Sequence, residues 1–156
     1  IGDLMKNSMA EKDAAKWFGA APPDLTLVAR VRGADWIYTY LRTFYADPKR
    51  PWGVNNLVFK DVGMPHVLQE LQGVPTLVEV QGADGHSHQV IETDGSGELS
   101  VDEYNQAVAD LVNFLVYAAE PMQAERKQLG IWVMLFLAVF FVLAYLLKKE
   151  YWRDVH

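Results

Sequence analysis

Hydrophobic and polar positions follow three different rules along this chain. Over residues 128–147 (QLGIWVMLFLAVFFVLAYLL) there is no charged side chain, and Lys127 and Lys148 stand at either end. A helix of that length rises about 30 Å, the thickness of a bilayer's hydrocarbon core. A run apolar on every side is either a membrane span or the centre of a large soluble core, and 156 residues are too few to enclose it. The pattern predicts one C-terminal transmembrane helix, in a position where no signal peptide would lie.

The second rule is helical spacing. Val101, Tyr104, Val108, Leu111, Leu115 and Ala119 recur at three- and four-residue steps, which predicts an amphipathic helix over 101–119 with one face in the core. The sequence Glu120-Pro121 breaks it. Ser8 and Glu11 have the spacing of a capping box, predicting a first helix over 9–18 that Gly19 and Pro22-Pro23 stop. Asp24 is placed to cap a second helix over 25–32, ending at Gly33. A third, over 35–46, sets Trp36, Tyr40 and Thr43 on one side and Ile37, Leu41 and Phe44 on another.

The third rule is the absence of helical spacing. From 47 to 73, Pro48, Pro51, Gly53, Asn55-Asn56, Gly63 and Pro65 punctuate a long loop that still carries Trp52, Leu57, Val58, Phe59 and Met64. A loop so long and so apolar points to function rather than disorder. Residues 76–80 and 89–91 read as two short strands around a polar turn containing Gly82 and Gly85.

Charge narrows the partners. Residues 1–120 hold 9 Lys and Arg against 17 Asp and Glu, which argues against nucleic acid or an anionic lipid surface as the main partner. Lys148, Lys149 and Arg153 follow the apolar run, against Arg126 and Lys127 before it, a lean toward a cytoplasmic tail. With no cysteine, the chain has no disulfide, thiolate metal site or cysteine nucleophile.

Four constellations bear chemistry. Residues 92–103 (ETDGSGELSVDE) resemble an EF-hand calcium loop, with Gly97 sixth, Leu99 eighth, Glu103 twelfth, and Asp94, Ser96, Glu98 and Ser100 at oxygen positions. Glu92 stands first where the motif wants Asp, and a strand precedes it where the motif wants a helix, so a turn capped by Ser100 and Glu103 is the preferred reading. His86 and His88 lie two apart without a third ligand nearby, which reads as a solvated turn, and His66 as a structural or surface residue. Arg30 and Arg32 close a short helix, as dipole partners or as a clamp on a carboxylate. Met64, between Gly63 and Pro65, is either core filler or a thioether displayed as a soft ligand for haem iron.

Several motifs then fall in one order: WFGAAPPDL from Trp17, ARVRG from Ala29, Asp35-Trp36, WGVNN from Trp52, Gly63-Met64-Pro65, and LVNFLVYAAEP from Leu111. In these the chain resembles the C-terminal portion of bacterial cytochrome c1, the haem subunit of the respiratory ubiquinol–cytochrome c reductase. The resemblance covers essentially the whole chain. It implies a mainly α, partial cytochrome c-like domain with a small β-hairpin insertion and one C-terminal transmembrane helix. Residues 1–120 would be a periplasmic haem domain, 121–127 a linker, 128–147 the span in the bacterial inner membrane, and 148–156 a cytoplasmic tail.

By the same resemblance Met64 matches the sixth axial ligand of haem c, and Arg32 an arginine paired with a propionate. Trp36 matches an aromatic residue at the propionate edge, and Pro22 and Pro23 prolines packed by the haem. The family's Cys-x-x-Cys-His attachment motif is absent, so the missing part is expected ahead of residue 1 or on another chain. The implied activity is electron transfer from the Rieske iron–sulfur protein to a cytochrome c or a terminal oxidase, beside cytochrome b and membrane lipid. The alternatives are a tail-anchored, EF-hand-like calcium module and a non-catalytic structural subunit.

Overall fold

The computed structural model describes residues 9–81 and 87–153, and divides the chain into two units, 1–119 and 120–156. In the first unit, α1 (Glu11–Phe18) starts two residues later than the spacing predicted. Ala10 is its N-cap and its carbonyl receives the N–H groups of Asp13 and Ala14, while Ser8 lies outside the described residues. Gly19 ends α1 in the left-handed conformation at φ 79°. The second helix, α2 (Val28–Arg32), is shorter than expected because the carboxylate of Asp24 accepts the Thr26 N–H at 2.7 Å and folds residues 24–27 into a turn. Gly33, at φ 86°, both ends α2 and starts α3 (Ala34–Arg42).

The third helix stops four residues short of the predicted end. Its carbonyl at Tyr40 is taken by the side-chain amide of Asn56 at 2.8 Å, and the Thr43 hydroxyl turns back onto the Thr39 carbonyl at 2.8 Å. Phe44 onward becomes strand β1 (Phe44–Ala46), paired antiparallel with β2 (Val54–Asn56), Phe44 opposite Asn56. The loop expected over 47–73 thus contains a strand, and near its end a one-turn helix, α4 (Gln69–Gln72). The predicted hairpin is present and longer than expected, with β3 (Pro75–Gln81) antiparallel to β4 (Ser87–Thr93) and Val78 opposite Val90. His86 lies outside the described residues.

Helix α5 (Val101–Ala119) has the predicted bounds but a shifted seam. Tyr104, Val108, Val112, Leu115 and Ala119 are buried, whereas Val101 and Leu111 are exposed. The buried set steps by four and three residues, one continuous stripe. It packs on Ile37 and Leu41 of α3, and the Tyr104 hydroxyl donates to the Leu41 carbonyl at 2.9 Å, satisfying an orphan acceptor at the helix end. Burial pushes the Tyr104 phenol up to about 12. A second small core gathers Phe44, Val54 and Val62, with Tyr40 and Met64 against it.

In the second unit, α6 (Gln123–Tyr151) is one unbroken helix of 29 residues, so residues 123–127 are helical as well as the apolar run. Arg126 pairs with Glu120 just ahead of it. It is long and apolar enough to cross a membrane, with a mean hydropathy of 2.6 over an 18-residue window.

Candidate functional site

Two adjacent asparagines set the path of the loop that carries Met64. Asn55 and Asn56 are buried, at 4% and 1% exposure, which an amide tolerates only when its donors and acceptors are used. The Asn56 side-chain oxygen accepts the N–H groups of Val58 and Phe59, at 2.9 and 3.1 Å, and the Thr43 hydroxyl. The Asn55 oxygen accepts the N–H of Asp61 at 2.9 Å, and its amide donates to the Asp47 carboxylate at 3.1 Å. That bond, the largest cause, holds the Asp47 carboxyl below its ordinary range. Asp61 sits at φ 62°, uncommon for a residue with a side chain. Arg50 stabilises it twice, by an ion pair at 3.2 Å and a hydrogen bond to its carbonyl at 2.7 Å.

The loop delivers Met64 to the end of an aromatic column. The Tyr40 hydroxyl donates to the Met64 sulfur at 3.3 Å. The Tyr40 ring stacks on Trp36, with centroids 4.9 Å apart and planes within 10°, and meets the edge of Phe44 at 5.2 Å. The guanidinium of Arg32 lies over Trp36, 4.9 Å from its ring centroid. Trp36 and Tyr40 are one helical turn apart on α3, so helix geometry supplies the stack. Met64, Trp36 and Arg32 are thereby joined through Tyr40 in one succession of contacts.

The column does not include Pro22 or Pro23, which lie in the exposed segment between α1 and α2. His66 is buried at 7% exposure and stacks on Phe44 with centroids 4.9 Å apart, a structural position. Burial lowers its pKa, and the nearby Gln72 side chain partly offsets this. Among the described residues, neither His66 Nε2 nor Gln72 Oε1 has a hydrogen-bond partner.

The EF-hand-like stretch forms the capped turn. Ser100 and Glu103 satisfy one another reciprocally: the Ser100 N–H and hydroxyl reach the Glu103 carboxylate at 3.0 and 2.7 Å, and the Glu103 N–H reaches the Ser100 oxygen at 3.4 Å. The Asp94 carboxylate accepts from the Ser96 N–H, the Ser96 hydroxyl and the Val74 N–H. Gly97, the motif's sixth-position glycine, is explained by close approach to α4, since a Cβ there would stand 2.5 Å from the Leu71 carbonyl oxygen.

A thioether sulfur has two lone pairs, and among the described residues one hydrogen bond reaches Met64, from Tyr40. A half-buried soft donor with a free lone pair, an aromatic wall, and an exposed guanidinium at the far end together fit an apolar, iron-bearing, carboxylate-edged group such as haem. The resemblance motifs of the sequence had singled out the sulfur and the guanidinium, where spacing alone left each with a structural alternative; sequence reasoning went no further than that. It missed Tyr40 as the sulfur's donor and Asn55-Asn56 as its support, although a buried-looking amide pair in an apolar loop was a legible signal.

Comparison with known proteins gives the family of the chain. Residues 1–155 match the sequence model of the Cytochrome C1 family. The chain is 52% identical over 158 residues to cytochrome c1 of Allochromatium vinosum, an overlap of 99% of this chain and 65% of that protein. It is also 52% identical over 155 residues to a Nitrosomonas europaea protein named ammonia monooxygenase gamma subunit, covering 99% and 63%. With cytochrome c1 of Rhodospirillum rubrum the identity is 32% over 151 residues, 88% of this chain and 52% of that one. The chain thus spans a little under two thirds of the length of the first two curated relatives. On the match along nearly its whole length, this chain belongs to the cytochrome c1 family.

Proposed function

We propose that this chain is the methionine-bearing part of a membrane-anchored haem electron carrier, the cytochrome c1 component of a ubiquinol–cytochrome c reductase complex. The observation that carries the reading is the half-buried Met64 sulfur at the head of the Tyr40–Trp36–Arg32 column. Haem, when bound, supplies one-electron ferric–ferrous chemistry. Met64 would give the iron a sixth ligand that favours the ferrous state and so a high potential. Arg32 would neutralise a propionate, and Trp36 would shield that edge from water. Pro22 and Pro23 would lie against the haem from the α1–α2 segment. Covalent attachment and the proximal imidazole would come from a Cys-x-x-Cys-His motif outside this sequence.

In this reading electrons arrive from the Rieske iron–sulfur protein and leave to a cytochrome c or a terminal oxidase. No side chain here performs acid–base chemistry. Helix α6 anchors the protein beside cytochrome b in the bacterial inner membrane, with residues 1–120 in the periplasm and 148–156 in the cytoplasm. A reduced-minus-oxidised visible spectrum of the native complex tests the assignment: a c-type haem signal supports it, and its absence leaves a structural subunit. Protease added to intact spheroplasts should cut residues 1–120 and spare the tail, whereas a protected domain would reverse the orientation.

A further inference from the structure

The Tyr40 hydroxyl is aimed at an acceptor that a phenol seldom chooses. Sulfur accepts weakly, and a half-buried phenol more often finds a carbonyl oxygen or water. Here the ring has little freedom to choose. Trp36 stacks on one face at 4.9 Å, Phe44 abuts it at 5.2 Å, and the Tyr40 carbonyl is held by Asn56 at 2.8 Å. The side chain is clamped at both ends, so its hydroxyl sits 3.3 Å from the Met64 sulfur by construction of α3 and the asparagine turn.

We propose that Tyr40 is a positioning residue that tunes the haem potential through the Met64 sulfur, an inference that rests on Met64 being the iron ligand. The two lone pairs divide the work: one receives the Tyr40 proton donor, leaving the other directed away from it for a metal. The bond restrains the thioether, which is otherwise free about three torsions. It also withdraws electron density from the sulfur, and a poorer donor favours ferrous over ferric iron.

The test is a redox titration of the c-type haem in the complete membrane complex, as wild type, Tyr40→Phe, Met64→Leu and the double variant. Tyr40→Phe keeps the ring and its stacking and removes only the donor. It should retain the sulfur-to-iron charge-transfer band while lowering the potential, a shift of up to about tenfold in the ferric-to-ferrous ratio, or about 59 mV for one electron. In the Met64→Leu background the same change should shift nothing further. An unchanged potential in Tyr40→Phe overturns the inference. So does an equal shift with and without Met64, which would make the hydroxyl a general polar influence. If Met64→Leu itself keeps the band, the ligand reading falls and this inference with it. Loss of the band in Met64→Leu with a silent Tyr40→Phe removes the inference alone.

Discussion

The side-chain amide of Asn56 donates to the main-chain carbonyl of Tyr40 at 2.8 Å, occupying the acceptor that the Phe44 N–H would use if α3 continued. One side chain therefore ends the helix, releases Phe44 into β1, and fixes the residue that meets Met64. Asn56→Ala strips partners from the Tyr40 carbonyl, the Thr43 hydroxyl and two loop N–H groups. With an unsatisfied buried group costing about 1–3 kcal/mol, the domain should lose about 2–4 kcal/mol in a urea titration. A loss under about 0.5 kcal/mol would show that the loop is held some other way.

The turn before α5 makes a prediction of opposite kind at two neighbouring glycines. A Cβ on Gly97 would lie 2.5 Å from both the Leu71 oxygen and the Gln72 carbonyl carbon, backbone atoms that cannot step aside cheaply. Gly97→Ala should cost about 1–3 kcal/mol by overpacking and break the bonds that join Glu98 and Leu99 to α4. Gly95 has open space around it and φ 71°, so Gly95→Ala should cost only the left-handed strain, about 1 kcal/mol. Urea midpoints of the two variants decide the order.

These glycines and the asparagines show where sequence reasoning reached and where it stopped. The apolar run of α6, the bounds of α5 and the Ser100–Glu103 cap are local signals, and each was legible. The seam of α5 differed at two positions: Val101 is exposed, and Val112 is covered in place of Leu111, because both satisfy helical spacing and only α3 decides which is covered. The end of α3 was misplaced because Phe44 continues its apolar stripe, while the stop comes from Asn56, far along the chain. Met64, Arg32 and Trp36 were singled out from motifs. Tyr40 was hidden because its role depends on a contact 24 residues away.

His66 gives the domain an acid sensitivity. Its folded pKa lies below the ordinary value of about 6.5, so as pH falls the unfolded chain takes up the proton first. Its contribution is therefore intact above pH about 6.5 and is lost progressively as pH falls from there toward the folded pKa. His66→Leu should flatten the fall in urea stability between pH 7.5 and 5, while the other histidines act equally in both proteins. An unchanged slope would mean that the buried imidazole gains a partner on protonation.

The cap at α5 should behave as a cap. Ser100→Ala should cost about 1 kcal/mol, and calcium chelators should leave the melting temperature unchanged. Calcium binding tighter than about 10⁻⁵ M by titration calorimetry would restore the EF-hand reading of residues 92–103.

Ligation of iron by the Met64 sulfur is read most directly by the sulfur-to-iron charge-transfer band of the oxidised complex. Met64→Leu conserves volume and apolar character, so the fold should persist with a packing cost under about 1.5 kcal/mol. The band should vanish and the haem potential should fall, while Met9→Leu, on the exposed lead into α1, should leave both as they are. A Met64→Leu complex with band and potential unchanged would contradict ligation by Met64, as would loss of the band in Met9→Leu.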